Sequence, residues 1–206
     1  MESDHLSSKL VKEYKGIFNT RKRVEKIYDN SDIFLAKRDL DSFYEGMFLK
    51  SVTLFESFIE ELFIGLLYDK YRLKSRKKVQ KQIFSSRKLV LNYLLNGKNY
   101  LDLLPFEKLK KTTNIFFKKD NPFFSINETQ KNILRDVFIV RNAIAHSSFA
   151  SNQKFQNLIR RNYSNLPEIS RSPSGLLQSL NNDRQTVFEV YIMELNSISY
   201  SISNFT

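Results

Sequence analysis

The sequence predicts an all-α fold, a single-domain helical bundle of about five to seven helices, on three observations. Only five Gly and four Pro interrupt 206 residues, whereas strand-dense folds need frequent turns. Apolar residues recur at steps of three and four over long stretches, the period of a helix face. The composition, 41% hydrophobic with 18 Phe and 10 Tyr against 27% charged, is that of a globular chain with bulky interior packing. This length suits one core, so residues 1–206 are expected to form one domain: a core over about 40–200 with an N-terminal helix, within residues 1–30, packed on it.

Leu10, Tyr14, Ile17, Val24 and Tyr28 follow steps of three, four or seven and predict the first helix. The second should open at Asp41 or Ser42, whose side chains can cap free amides. It runs through Met47, Leu54, Phe55, Phe58, Leu62, Phe63 and Leu66 to about Tyr71, some 45 Å at 1.5 Å per residue. Residues 72–88 form a basic segment with Arg72, Lys74, Arg76, Lys77, Lys78, Lys81, Arg87 and Lys88 and no acid. A short helix then ends at Asn96 and Gly97, where glycine can take the left-handed conformation. Pro105 can open a helix through Phe116, while Lys118–Pro122 reads as loop. Ser125 and Glu128 have the S-x-x-E spacing of a capping box, so a helix is expected from Ile126 through Ile133, Val137, Val140 and Ile144 to about His146. Phe155, Leu158 and Ile159 mark a further short helix. Residues 162–183 read as polar loop with Pro167, Pro173 and Gly175, and the last helix, from about Asp183, carries Val187, Val190, Tyr191, Leu195 and Ile198.

The absence of Cys removes disulfides, thiolate metal sites and Cys nucleophiles. The opening MESDHLSS carries acids and no apolar core, unlike a secretory signal, and a cytoplasmic protein is expected. The longest apolar run, Leu54–Tyr68, is broken by Glu56, Glu60 and Glu61, which argues against a membrane span. A formal charge of +11 and a pI near 9.7 favour polyanionic partners, above all nucleic acid.

The chemistry-bearing string is RDVFIVRNAIAHSSF. Of the two His, His5 falls in a tail expected to fray. His146 closes a strongly predicted helix, four residues after Asn142 and five after Arg141. On a regular helix Asn142 and His146 share a face, whereas Arg141 points roughly 140° away from His146. Arg and His would therefore converge where the helix end distorts or where both flank a groove shared with a partner helix.

Arg141-Asn142-Ala143-Ile144-Ala145-His146 resembles the R-x4-6-H motif of HEPN domains, in particular the RiboL-PSP or abortive-infection branch. The helical layout over about 40–200 and an acid on the long preceding helix, Glu56, agree with that resemblance. It implies a metal-independent endoribonuclease, a toxin or anti-phage effector, that attacks a phosphate with the neighbouring ribose 2′-hydroxyl and leaves a 2′,3′-cyclic phosphate. It implies no cofactor, an RNA substrate, a homodimer that joins two Arg–His pairs across a two-fold axis, and a cognate antitoxin or regulatory partner. Arg141, His146 and Asn142 would be the catalytic residues, with Glu56 orienting Arg141 or His146 from behind. The residue types suit the chemistry: imidazole exchanges protons near neutrality, and guanidinium holds a phosphate bidentately as charge builds on its oxygens. Arg76, Lys77, Lys78 and Lys81 are candidate RNA contacts.

Plainer readings stand beside these. His146 and Ser147 can be helix-end caps, Arg141 a surface ion-pair residue, and Glu56 a partner for a nearby cation. The basic segment can be a solvated face, and Phe84 and Tyr93 are spaced as core. A non-catalytic HEPN module binding RNA, nucleotide or a protein is the alternative function. No Gly-rich phosphate loop occurs, two His without Cys make no conventional zinc site, and Glu56 and Glu60 lack the Glu-x-x-His partner of a two-metal bundle.

Overall fold

The computed structural model describes residues 1–30, 35–73, 79–99, 101, 103–146 and 148–205. Among them are eight α-helices: α1 (Asp4–Tyr28), α2 (Lys37–Leu67), α3 (Arg87–Leu95), α4 (Phe106–Phe116), α5 (Glu128–Ala145), α6 (Phe149–Asn162), α7 (Pro173–Gln178) and α8 (Val187–Ser203). The fold is all-α, and the one sheet among the described residues is an antiparallel pair of β1 (Gln80–Lys81) and β2 (Phe117–Lys119). The described residues form two compact units, one of Met1–Val11, Leu54–Leu134 and Leu195–Thr206, the other of Lys12–Thr53 and Arg135–Glu194.

In the first unit Phe63 is fully buried and meets Phe116 and Phe123 edge-on, each at 5.7 Å between ring centroids. Such pairs add about 0.5–1.5 kcal/mol to the gain from burial. The N-terminus does not fray. Ser3 N–H donates to Arg72 O at 3.0 Å and its buried hydroxyl to Ser203 O at 2.6 Å, so α1 begins at Asp4, earlier than its apolar stripe. α2 stops at Leu67, short of Tyr71, because Asp69 turns left-handed (φ 58°) and folds the Tyr71 ring onto Gly65. A Cβ at Gly65 would lie 2.1 Å from that ring. Asn96 and Gly97 end α3 with φ of 42° and 83°. Tyr93, expected in the core, is 61% exposed, with one side of its ring against Phe84 and Phe116.

In the second unit Phe188 is fully buried and packs edge-on against Phe18, Tyr44 and Phe48. Tyr14 donates to Ser51 O at 3.2 Å. The stretch expected as polar loop contains α7, opened by Ser172, whose hydroxyl accepts from Gly175 N–H.

α2 opens at Lys37, ahead of the expected Asp41 or Ser42, where Ala36 N–H donates to Asp39 Oδ2 at 3.1 Å; the starts of α5 and α8 differ from expectation for one reason, competition among caps. The box that opens α5 is Asn127-x-x-Gln130: Gln130 N–H donates to Asn127 Oδ1 (2.9 Å) and Asn127 N–H to Gln130 Oε1 (3.2 Å). The hydroxyl of Ser125 is instead given to Pro122 O (2.8 Å), so the helix begins at Glu128. α8 starts at Val187 because Thr186 and Glu189 form a second reciprocal box, with bonds of 3.1 and 2.9 Å, while Asp183 belongs to the turn before it.

Candidate active site at the end of α5

α5 delivers Arg141 and Asn142 in its last turn and His146 just beyond it. The backbone ladder continues one residue past the helix, since His146 N–H donates to Asn142 O at 3.0 Å. Helical geometry therefore holds through His146. At five residues' spacing the side chains of Arg141 and His146 leave the helix on different sides, roughly 140° apart.

Arg141 is half-buried and its Nη1 donates to Asn142 Oδ1 at 3.1 Å. Among the described residues no carboxylate pairs with it, which removes the surface ion-pair reading. His146 is exposed, and no described residue hydrogen-bonds its imidazole, so the ring does not cap the terminal carbonyls. Both groups are uncommitted. Ser147 lies outside the described residues. α6 starts at once: Ser148 Oγ accepts from Ser151 N–H at 3.2 Å, and Phe149 projects with 81% of its surface exposed.

The hairpin of α5 and α6 is clamped away from its tip. Asp136, buried on α5, accepts from Arg161 Nη2 (2.9 Å) and Asn162 Nδ2 (2.8 Å) at the end of α6. Burial raises the Asp136 carboxyl above the usual carboxylate range, against the pull of Arg161. Next to the clamp, the Tyr163 and Tyr191 hydroxyls are bonded at 3.0 Å, and desolvation raises both phenols.

The other expected site residues fare differently. Glu56 is half-buried on α2 and belongs to the first unit, so its orienting role rests on the resemblance alone. The Lys81 ammonium is bonded to Asp69 Oδ1 at 2.5 Å and to the Leu66 carbonyl near the end of α2, with 13% of the side chain exposed. It closes the end of α2. Arg76, Lys77 and Lys78 lie outside the described residues, as does Lys74. Arg87 of the same segment is paired to Glu61 at 2.5 Å.

The largest buried polar constellation escaped the sequence reading. Arg21, 5% exposed, forms ion pairs with Glu25 (2.9 Å) and Glu189 and lies within hydrogen-bond distance of Tyr44 and Thr186. Its Nε is buried without a partner. Desolvation, and then the bond to Glu25, raises the Tyr44 phenol. The signal was the step of seven between Ile17 and Val24, which passes over Arg21 on the same stripe. Asp136 gave a similar signal, an acid in line with Ile133 and Val140.

No cluster of three or more His, Asp or Glu suited to a metal occurs among the described residues, and none of their helices is long and apolar enough to cross a membrane. Comparison with protein-family models, curated proteins and solved structures returns no match.

Proposed function

We propose that this chain is a homodimeric, metal-independent endoribonuclease of the HEPN type. The observation that supports this most is the uncommitted state of Arg141 and His146. A guanidinium without a described carboxylate partner and an exposed imidazole stand five residues apart at one helix end, on a chain of net charge +11.

The end of α5 offers one imidazole, whereas the reaction needs a base and an acid. Two copies facing each other at the α5–α6 tips supply both, and the exposed Phe149 beside His146 gives such an interface its apolar contact. One His146 takes the proton of the ribose 2′-hydroxyl as its oxygen attacks the adjacent phosphorus. The bond from phosphorus to the 5′-oxygen breaks, and the second His146 protonates that oxygen. The products are a 2′,3′-cyclic phosphate and a 5′-hydroxyl. The Arg141 pair neutralises the non-bridging oxygens as charge builds, and Asn142, already bonded to Arg141, fixes the fork. A role as a toxin or anti-phage effector, held in check by an antitoxin or regulatory protein, follows from the family resemblance.

The test is purified protein on total RNA. Cleavage should survive a chelator and disappear in Arg141→Ala and in His146→Ala, with helicity and dimer mass unchanged. Cleavage by the double variant, or inhibition by chelator, would overturn the reading.

A further inference from the structure

We infer that the groove between α1 and α2 in the second unit is a binding site for single-stranded RNA, formed by residues other than those at the end of α5. The inference rests on the ribonuclease reading for its substrate, but the site has its own evidence. The groove encloses about 1010 Å³ and is lined only by residues of these two helices. Two glycines open it: a Cβ at Gly16 or Gly46 would meet nothing within 4 Å. Its apolar lining is Ile17, Phe43 and Met47, beside Asn19, Thr20 and Ser42, a mixture that suits sugar edges and base faces.

Charge selects the occupant. Arg23 and Lys50 line the groove against one acid, Glu13. Lys12 and Lys26 extend the same stripe of α1, at steps of four, three, four and three through Gly16, Asn19 and Arg23. Lys15 and Lys22 lie on the adjacent stripe. All six cations are exposed, and none forms an ion pair with a described residue. The reason lies inside the unit: α1 turns Glu25 inward to neutralise Arg21, which leaves the outward face with a surplus of positive charge. A row of unneutralised cations along a polar groove is the pattern of backbone-tracking sites for single strands, and it disfavours a second copy of this basic chain as the occupant.

The test is fluorescence anisotropy with a short fluorescein-labelled single-stranded RNA, in the His146→Ala background so that the probe stays intact. Two variants carry the same charge change: Arg23→Glu/Lys50→Glu in the groove, and Lys118→Glu/Lys119→Glu on exposed β2 positions. Each phosphate contact to a single strand contributes a salt slope of about 0.7. Losing two at 0.1 M salt therefore weakens binding about 25-fold, whereas the β2 variant should lose only a few-fold through a screened field. Gly46→Leu, which fills open space on a helix without changing charge, should also weaken binding.

Equal losses in the two charge variants, unaltered binding by Gly46→Leu, or no RNA binding by the parent protein would overturn the inference. So would a change from dimer to monomer in Gly46→Leu with RNA affinity unaltered, which would assign the groove to a second copy. The two readings fail separately. Wild-type protein that binds in the groove without ever cutting sinks catalysis alone, and cleavage with no difference between the charge variants sinks the groove alone.

Discussion

Replacing Arg21 with Met keeps the apolar stem and removes the charge. Its guanidinium bridges Glu25 and Glu189 at a position 5% exposed. Removing one partner of a buried ion pair costs about 3–5 kcal/mol, because the remaining charge stays desolvated. Here two carboxylates are left, but their side chains keep 30% and 23% exposure, so water offsets part of the loss and about 3 kcal/mol is expected. In a chain of this size each kcal/mol shifts Tm by about 2–4 °C, giving a drop of about 6–12 °C. Urea unfolding followed by circular dichroism gives the free energy, and a thermal melt gives the shift. Adding Glu25→Gln and Glu189→Gln should recover much of the loss, since the orphaned charges are then gone. A variant within 1 kcal/mol of wild type, or a triple variant no better than the single, would refute the claim that the cluster is held by charge neutralisation.

Three further outcomes follow from named contacts. Phe149→Asp, at a position 81% exposed, should leave monomer stability within about 0.5 kcal/mol but shift the light-scattering mass from dimer to monomer and remove RNA cleavage. A stable, active dimer would exclude this tip as the interface. Desolvation pushes the Glu61 carboxyl up, but bonds from Lys70, Arg87 and Tyr71 outweigh it and hold it below 4.5. A depressed pKa contributes stability that is present above the unfolded value and lost as pH falls through the folded one. Glu61→Gln should therefore lower stability at neutral pH and flatten its decline below pH 4.5; parallel wild-type and variant profiles in acid would contradict this. Thr186→Ala removes the hydroxyl that opens α8 and should cost about 1 kcal/mol, whereas Ser125→Ala, expected from spacing alone to be the costly cap, should not affect the start of α5.

Helix identities were legible in the sequence because each long helix buries a periodic stripe, and that period is written in Leu10, Tyr14 and Ile17 or in Ile133, Val137 and Val140. Helix ends were less legible. Ser125–Glu128 and Asn127–Gln130 offer the same spacing, and only the position of the Pro122 carbonyl decides between them. β1 and β2 are two and three residues long, too short to show a period. α7 is a single capped turn and a half inside a polar run, with Ser174 buried through its contacts. The order Arg141, Asn142, His146 at a helix end could be read directly, because it depends on sequence spacing and one helix. The clamp of Asp136 with Arg161 and the cluster around Arg21 join residues distant in sequence. Their only trace was a charged residue standing on an apolar stripe. The bonds of Lys81 were illegible for the opposite reason: a cation in a basic run gives no sign that its ammonium is bound to the end of α2.

The proposed cleavage turns on one step, attack by a 2′-hydroxyl promoted by paired His146 and Arg141 groups without a metal. Mapping the ends of the RNA fragments that purified protein produces in the presence of a chelator addresses it directly. Fragments ending in 2′,3′-cyclic phosphate, absent with His146→Ala, are the expected result. Intact RNA, or fragments carrying 5′-phosphate and 3′-hydroxyl ends, would contradict it.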